Sequence, residues 1–87
     1  MNTVSDSRTL AGVRICMQAA LKLSDADTAG INIETTAAQL PGWTSMAHLE
    51  LVLALENRFG LMFEAEEIAE LASVRAIVSA LERERTT

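Results

Sequence analysis

Two side chains with chemistry to offer stand three positions apart in the run GWTSMAHLE: Ser45 and His48. A serine hydroxyl is a weak nucleophile until a base takes its proton. On a helix, residues three apart share a face and side chains lean back toward the N-terminus, so the two are within geometric reach. Nothing in the sequence orients the imidazole, and no glycine-rich nucleophile turn offers an oxyanion hole. A hydrolytic pair is therefore not expected, nor any other catalytic residue, and His48 is read as partly buried packing. Ser45 has other uses. Thr44 beside it is an equally good helix cap, which leaves one of the two hydroxyls spare. That hydroxyl stands where backbone N–H groups and the helix dipole favour an anion, so a phosphate ester attached there would be well placed. Ser45 is thus a candidate for covalent modification.

The element that must present Ser45 is a helix from about Ser45 to Phe59, ended by Gly60. Its pattern is apolar on two sides. Leu51, Val52, Leu55 and Phe59 form one face, expected to point into a core. Met46, Leu49 and Leu53 form a second stripe close to Ser45, where a surface helix needs only one. Periodicity alone favours extra core for this stripe; the alternative is an exposed contact surface. Glu50 and Glu56 project from the same helix, either as solvated acids or as contacts for a partner's Arg or Lys.

Three further helices are expected. The first runs from about Ser7 to Lys22, with Val13, Cys16, Met17, Ala20 and Leu21 on one face and Arg14, Gln18 and Lys22 opposite. A short one spans about Glu64 to Leu71, with Glu64, Glu66 and Glu67 crowding its first turn, where the dipole favours negative charge. The last follows Ser73 as cap, its face made by Val74, Ile77, Val78 and Leu81. The terminal Arg85-Thr86-Thr87 should fray. Between the first helix and the Ser45 helix lies a loop from about Leu23 to Trp43, broken by Gly30, Pro41 and Gly42 and pinned by Ile31, Ile33 and Leu40. A loop of that length is often functional. A helical turn near Thr35 to Gln39 is the alternative there. No strand periodicity or repeat appears. The fold expected is all-α: a small four-helix bundle of three main helices and one short one, in a single domain over residues 1–87.

Composition agrees. The chain has 87 residues, 49% hydrophobic and 3% aromatic, with net charge -5 and a pI near 4.7. This acidity argues against nucleic acid and anionic membranes and suits partners with basic patches. One cysteine, Cys16, allows no intrachain disulfide and reads as a small core residue. One histidine and scattered acids make no metal site. No membrane span and no signal peptide are seen, so a cytoplasmic monomer is expected.

The stretch WTSMAHLELVLALENRFGLMFEAEEIAELASVRAIVSALE resembles the acyl carrier proteins, and the likeness extends over nearly the whole chain. Their hallmark is Asp-Ser-Leu at the start of the second helix, followed by a stretch like ELVLALEEEF. Ser45 falls on the serine, Met46 on the leucine, and Glu50 to Phe59 on the stretch. The Trp before the motif and the Ala-His-Leu after it look like a stand-alone, specialised branch. The resemblance implies that Ser45 accepts 4'-phosphopantetheine from coenzyme A through a separate phosphopantetheinyl transferase. The arm's thiol then carries acyl groups as thioesters in fatty-acid, polyketide or related biosynthesis. It implies partner contacts at Thr44, Met46, Glu50 and Leu53, with Glu66 and Glu67 as a secondary region. The partners would be acyl-loading, acyl-transfer or synthase enzymes. It also implies an acyl pocket, for which Leu49, Leu53, Leu61, Phe63, Ile68 and Ala76 are candidates. The alternatives are an unmodified carrier-like interaction module and a carrier of aminoacyl cargo.

Two departures stand out. The family's aspartate is Thr44 here, which keeps the cap and loses a charge. Losing one charge-assisted contact weakens transferase recognition by about 1.5–3 kcal/mol if that contact is well ordered. Asn57 and Arg58 stand where acids are common, which implies a partner set different from that of primary fatty-acid synthesis.

Overall fold

A computed structural model describes residues 3–86 of the chain. Its elements are α1 (Thr3–Leu21), α2 (Asp25–Ala29), a 3₁₀ turn (Ala37–Gln39), α3 (Ser45–Phe59), α4 (Ala65–Glu70) and α5 (Val74–Thr86). The molecule is an all-α bundle in which α1 packs chiefly on α3 and next on α5. Among the described residues the only extended pairing is one bridge, between Thr36 and Ser73.

The three long helices bury the faces that their spacing marks. Val13, Cys16, Met17, Ala20 and Leu21 of α1, Leu51, Val52 and Leu55 of α3, and Val74, Ile77, Val78 and Leu81 of α5 form one core. Phe59 is only half buried, and its ring tip lies over Gly12, where an added Cβ would come within 2.7 Å of it. The helix axes approach there because glycine leaves the room. Thr9, also buried in α1, donates to the Glu82 carboxylate of α5 at 2.7 Å.

Helix ends follow local chemistry. α1 begins a turn earlier than Ser7, since no breaker stands in the way. It ends one residue before Lys22, which takes the left-handed conformation at φ 56. The Leu23 amide then donates to the Gln18 carbonyl at 3.1 Å, which closes the helix end. Gly60, at φ 69, ends α3 as expected. Ser73 Oγ accepts from the Ala76 amide at 3.1 Å and caps α5. α5 is helical as far as Thr86, and Thr87, the last residue expected to fray, lies outside the described residues.

The segment from Leu23 to Trp43 is more ordered than a loop. It holds a fifth helix, α2, started by Ser24, whose Oγ accepts from the Asp27 amide at 3.0 Å. Its 3₁₀ turn lies inside the stretch from Thr35 to Gln39 where a helical turn was the alternative. Ile31 is buried, and Ile33 and Leu40 pack on the core as pins. Arg14 Nε donates to the Ile31 carbonyl at 2.8 Å, so a cation of α1 also holds the segment. At its far side the Ala37 amide donates to Ala72 O and the Val74 amide to Thr35 O, both at 2.9 Å. These two bonds fasten it to the junction of α4 and α5.

Candidate functional site

The start of α3 divides its two hydroxyls as their types suggest. Thr44 is the cap: its backbone is extended and its Oγ1 accepts from the Ala47 amide at 3.2 Å. Ser45 is the first helical residue, exposed to solvent, and among the described residues no hydrogen bond holds its hydroxyl. The first turn of α3 contains no acidic side chain, so the positive end of the helix stands uncompensated beside Ser45.

His48 is not a base for Ser45. Its Nδ1 accepts from the Trp43 indole N–H at 2.8 Å, and its Nε2 lies 2.9 Å from the Ile68 carbonyl. Since Nδ1 is an acceptor, Nε2 carries the proton and donates to Ile68. The rings are stacked, with centroids 6.0 Å apart. His48 is indeed partly buried, but it serves as a tie among the pre-helix segment, α3 and α4. Trp43 stands just before the cap and His48 four residues after it, the spacing at which apolar residues pin a helix start. Here a hydrogen bond joins the packing.

The second stripe of α3 lies outside the core, which corrects the expectation from periodicity. Met46, Leu49 and Leu53 are 72%, 58% and 63% exposed, and Met62 beyond the helix end is 80% exposed. The reason lies in the neighbours: α1 covers the Leu51, Val52 and Leu55 side, whereas short α4 buries none of its own residues. A row of apolar side chains therefore leads away from Ser45 on the surface.

The acids separate by role. Glu50 is exposed and lines a depression of about 220 Å³ with Lys22, Thr44 and Met46. Glu56 is structural, since its Oε2 accepts from the Phe63 amide at 2.9 Å. Glu66 is exposed, while Glu67 Oε1 accepts from the Glu64 amide at 2.9 Å and its other oxygen lies 3.7 Å from Arg83. Arg58 lies in the last turn of α3 near Cys16, whose thiol is pushed up from its ordinary value by burial, with Arg58 opposing weakly. Among the described residues no group of His, Cys, Asp and Glu could hold a metal ion, and no helix is long and apolar enough to cross a membrane.

Among the described residues, the six candidate pocket residues are spread over several depressions and the core. Leu49 lines an open depression of about 380 Å³ beside Ser45, with Ala37, Trp43, Thr44, His48, Ala69 and Ala72. Leu53 and Leu61 line another, Ala76 a third, Phe63 is buried in the core and Ile68 packs half-buried against it. The depression at Ser45 draws on the 3₁₀ turn and the end of α4, two parts whose meeting no local pattern announces. No family model and no curated protein matches the chain.

Proposed function

We propose that the chain is a carrier protein whose Ser45 accepts a 4'-phosphopantetheine arm from coenzyme A. The observation that carries this is the division of labour at α3: Thr44 does the capping, and the adjacent Ser45 hydroxyl is exposed and unengaged. The residues present fit the group. Ser45 offers the oxygen, the start of α3 favours the phosphate, and the apolar depression alongside has room for part of an arm. When bound, the arm supplies a thiol that holds acyl groups as thioesters. The protein's own part is to present the hydroxyl to a transferase and then to present the arm to successive enzymes, raising its local concentration at each.

The exposed row of Met46, Leu49, Leu53 and Met62, with Glu50 beside it, supports docking of enzymes that pair an apolar patch with basic side chains. The negative net charge favours the same partners. Fatty-acid, polyketide or related specialised biosynthesis is the setting for such a carrier, and the cytoplasm its compartment.

A second reading is a carrier-like module that binds partners without modification. The absence of a carboxylate at Thr44, where a transferase would dock, favours it. The two part on one experiment: incubation with coenzyme A and a broad-specificity phosphopantetheinyl transferase, followed by peptide mapping. The carrier reading expects the added group on the peptide containing Ser45.

A further inference from the structure

Two ways lead from Ser45 for a group tethered there. One runs over the surface, along the open depression that Leu49, Ala69 and Ala72 line. The other would run inward, between α3 and α4, toward the buried side chains of Phe63 and Leu71. The inward way is crossed by His48, which lines the depression on one side and donates to the Ile68 carbonyl of α4 on the other. Trp43 holds the second ring nitrogen, so the imidazole cannot turn aside without losing both bonds. Moving α4 away from α3 would leave the imidazole N–H facing an alkyl chain that cannot accept its proton, while the Ile68 carbonyl would keep only the Leu71 amide. In the core Leu51, Leu55 and Ile77 expose no surface, so no open space adjoins these three side chains. A group that stays in the depression leaves every one of these bonds intact. At about 380 Å³ the depression lies at the small end of ligand sites.

We propose that His48 is a specificity-determining residue: the Trp43–His48–Ile68 chain ties α3 to α4 and bars entry between them, so a tethered group lies outside the core. The cargo class that follows is short or polar-tipped acyl groups, in preference to long alkyl chains. The proposal rests on the carrier reading of Ser45.

The test uses a chemical tether and so does not depend on any transferase. A Ser45→Cys chain is alkylated with N-butyl, N-octyl and N-dodecyl iodoacetamide, the thiolate displacing iodide; Cys16 is buried and spared by brief treatment. With His48 present, the thermal midpoint stays level across the three lengths, and retention on a hydrophobic column climbs with each. In a His48→Ala background the midpoint rises with length and retention drops below that of the His48 protein. His48→Gln, whose amide can accept from Trp43 and donate to Ile68, restores the level midpoint. A merely structural role would shift all midpoints equally, whatever the length. A midpoint that climbs with length in the His48 protein overturns the proposal without recourse to any variant. So does a folded His48→Ala protein that shows no dependence on length. Failure of Ser45 to load from coenzyme A would instead count against the carrier reading.

Discussion

The indole N–H of Trp43 donates to Nδ1 of His48 across 2.8 Å, and with the Ile68 carbonyl 2.9 Å from Nε2 this keeps the ring proton on Nε2. The Trp43→Phe substitution keeps an aromatic ring and removes the donor. It leaves Nδ1 without its partner, which costs about 1–3 kcal/mol. A domain of this size loses roughly 4–8 °C of thermal midpoint per kcal/mol. Thermal unfolding measures the loss, and imidazole nitrogen shifts should still report the Nε2–H tautomer, because the Ile68 carbonyl continues to accept from it.

Thr44 and Ser45 should respond unequally to truncation. Thr44→Ala removes the bond to the Ala47 amide and should destabilise the protein by about 1 kcal/mol. Ser45→Ala removes no bond and should stay within about 0.5 kcal/mol of the parent. Thr44→Asp keeps a cap and adds a charge at the positive helix end, a gain of about 0.3–1 kcal/mol. Denaturant unfolding of the three variants checks the order. Equal losses for Thr44→Ala and Ser45→Ala would show that Ser45 is not spare.

Glu50 and Glu56 make a second contrasting pair. Glu56 holds the Phe63 amide, so Glu56→Ala should cost about 1–3 kcal/mol and loosen the turn before α4. Exposed Glu50→Ala should change stability by less than about 0.5 kcal/mol. Hydrogen exchange at Phe63 should quicken only in the Glu56 variant.

Cys16 gives a pH prediction. Burial raises its thiol above the ordinary value of 9.0, so the folded state keeps a proton that the unfolded state gives up. The associated stability is present below that value and is lost as pH rises through the folded value. Stability measured on both sides of it should decline toward alkali, and the decline should shrink in Cys16→Ala. Alkylation of the native thiol should be slow and should quicken in denaturant.

Much of this architecture is legible in the residues. Gly60, Ser73 and the apolar faces of α1, α3 and α5 act through local rules, and each stands where its pattern points. α2 is not legible by periodicity because its five residues bury nothing, so no apolar rhythm marks it. Only the Ser24 cap hints at it. The exposure of Met46, Leu49 and Leu53 is not legible either, because a helical repeat records a face but not what covers it. The depression at Ser45 depends on the pairing of Ala37 with Ala72, residues distant in sequence. The tie through His48 had a local signal in its spacing from Trp43, while its second partner, a backbone carbonyl at Ile68, leaves no mark in side-chain identity.

Intact mass decides whether Ser45 is the attachment residue. The purified protein is weighed before and after incubation with coenzyme A and a broad-specificity phosphopantetheinyl transferase, beside Ser45→Ala, Thr44→Asp and a control carrier. Attachment at Ser45 requires a gain of one phosphopantetheinyl group, absent in Ser45→Ala and faster to appear in Thr44→Asp. No gain in either the parent or Thr44→Asp, with both folded and the control fully loaded, would contradict it.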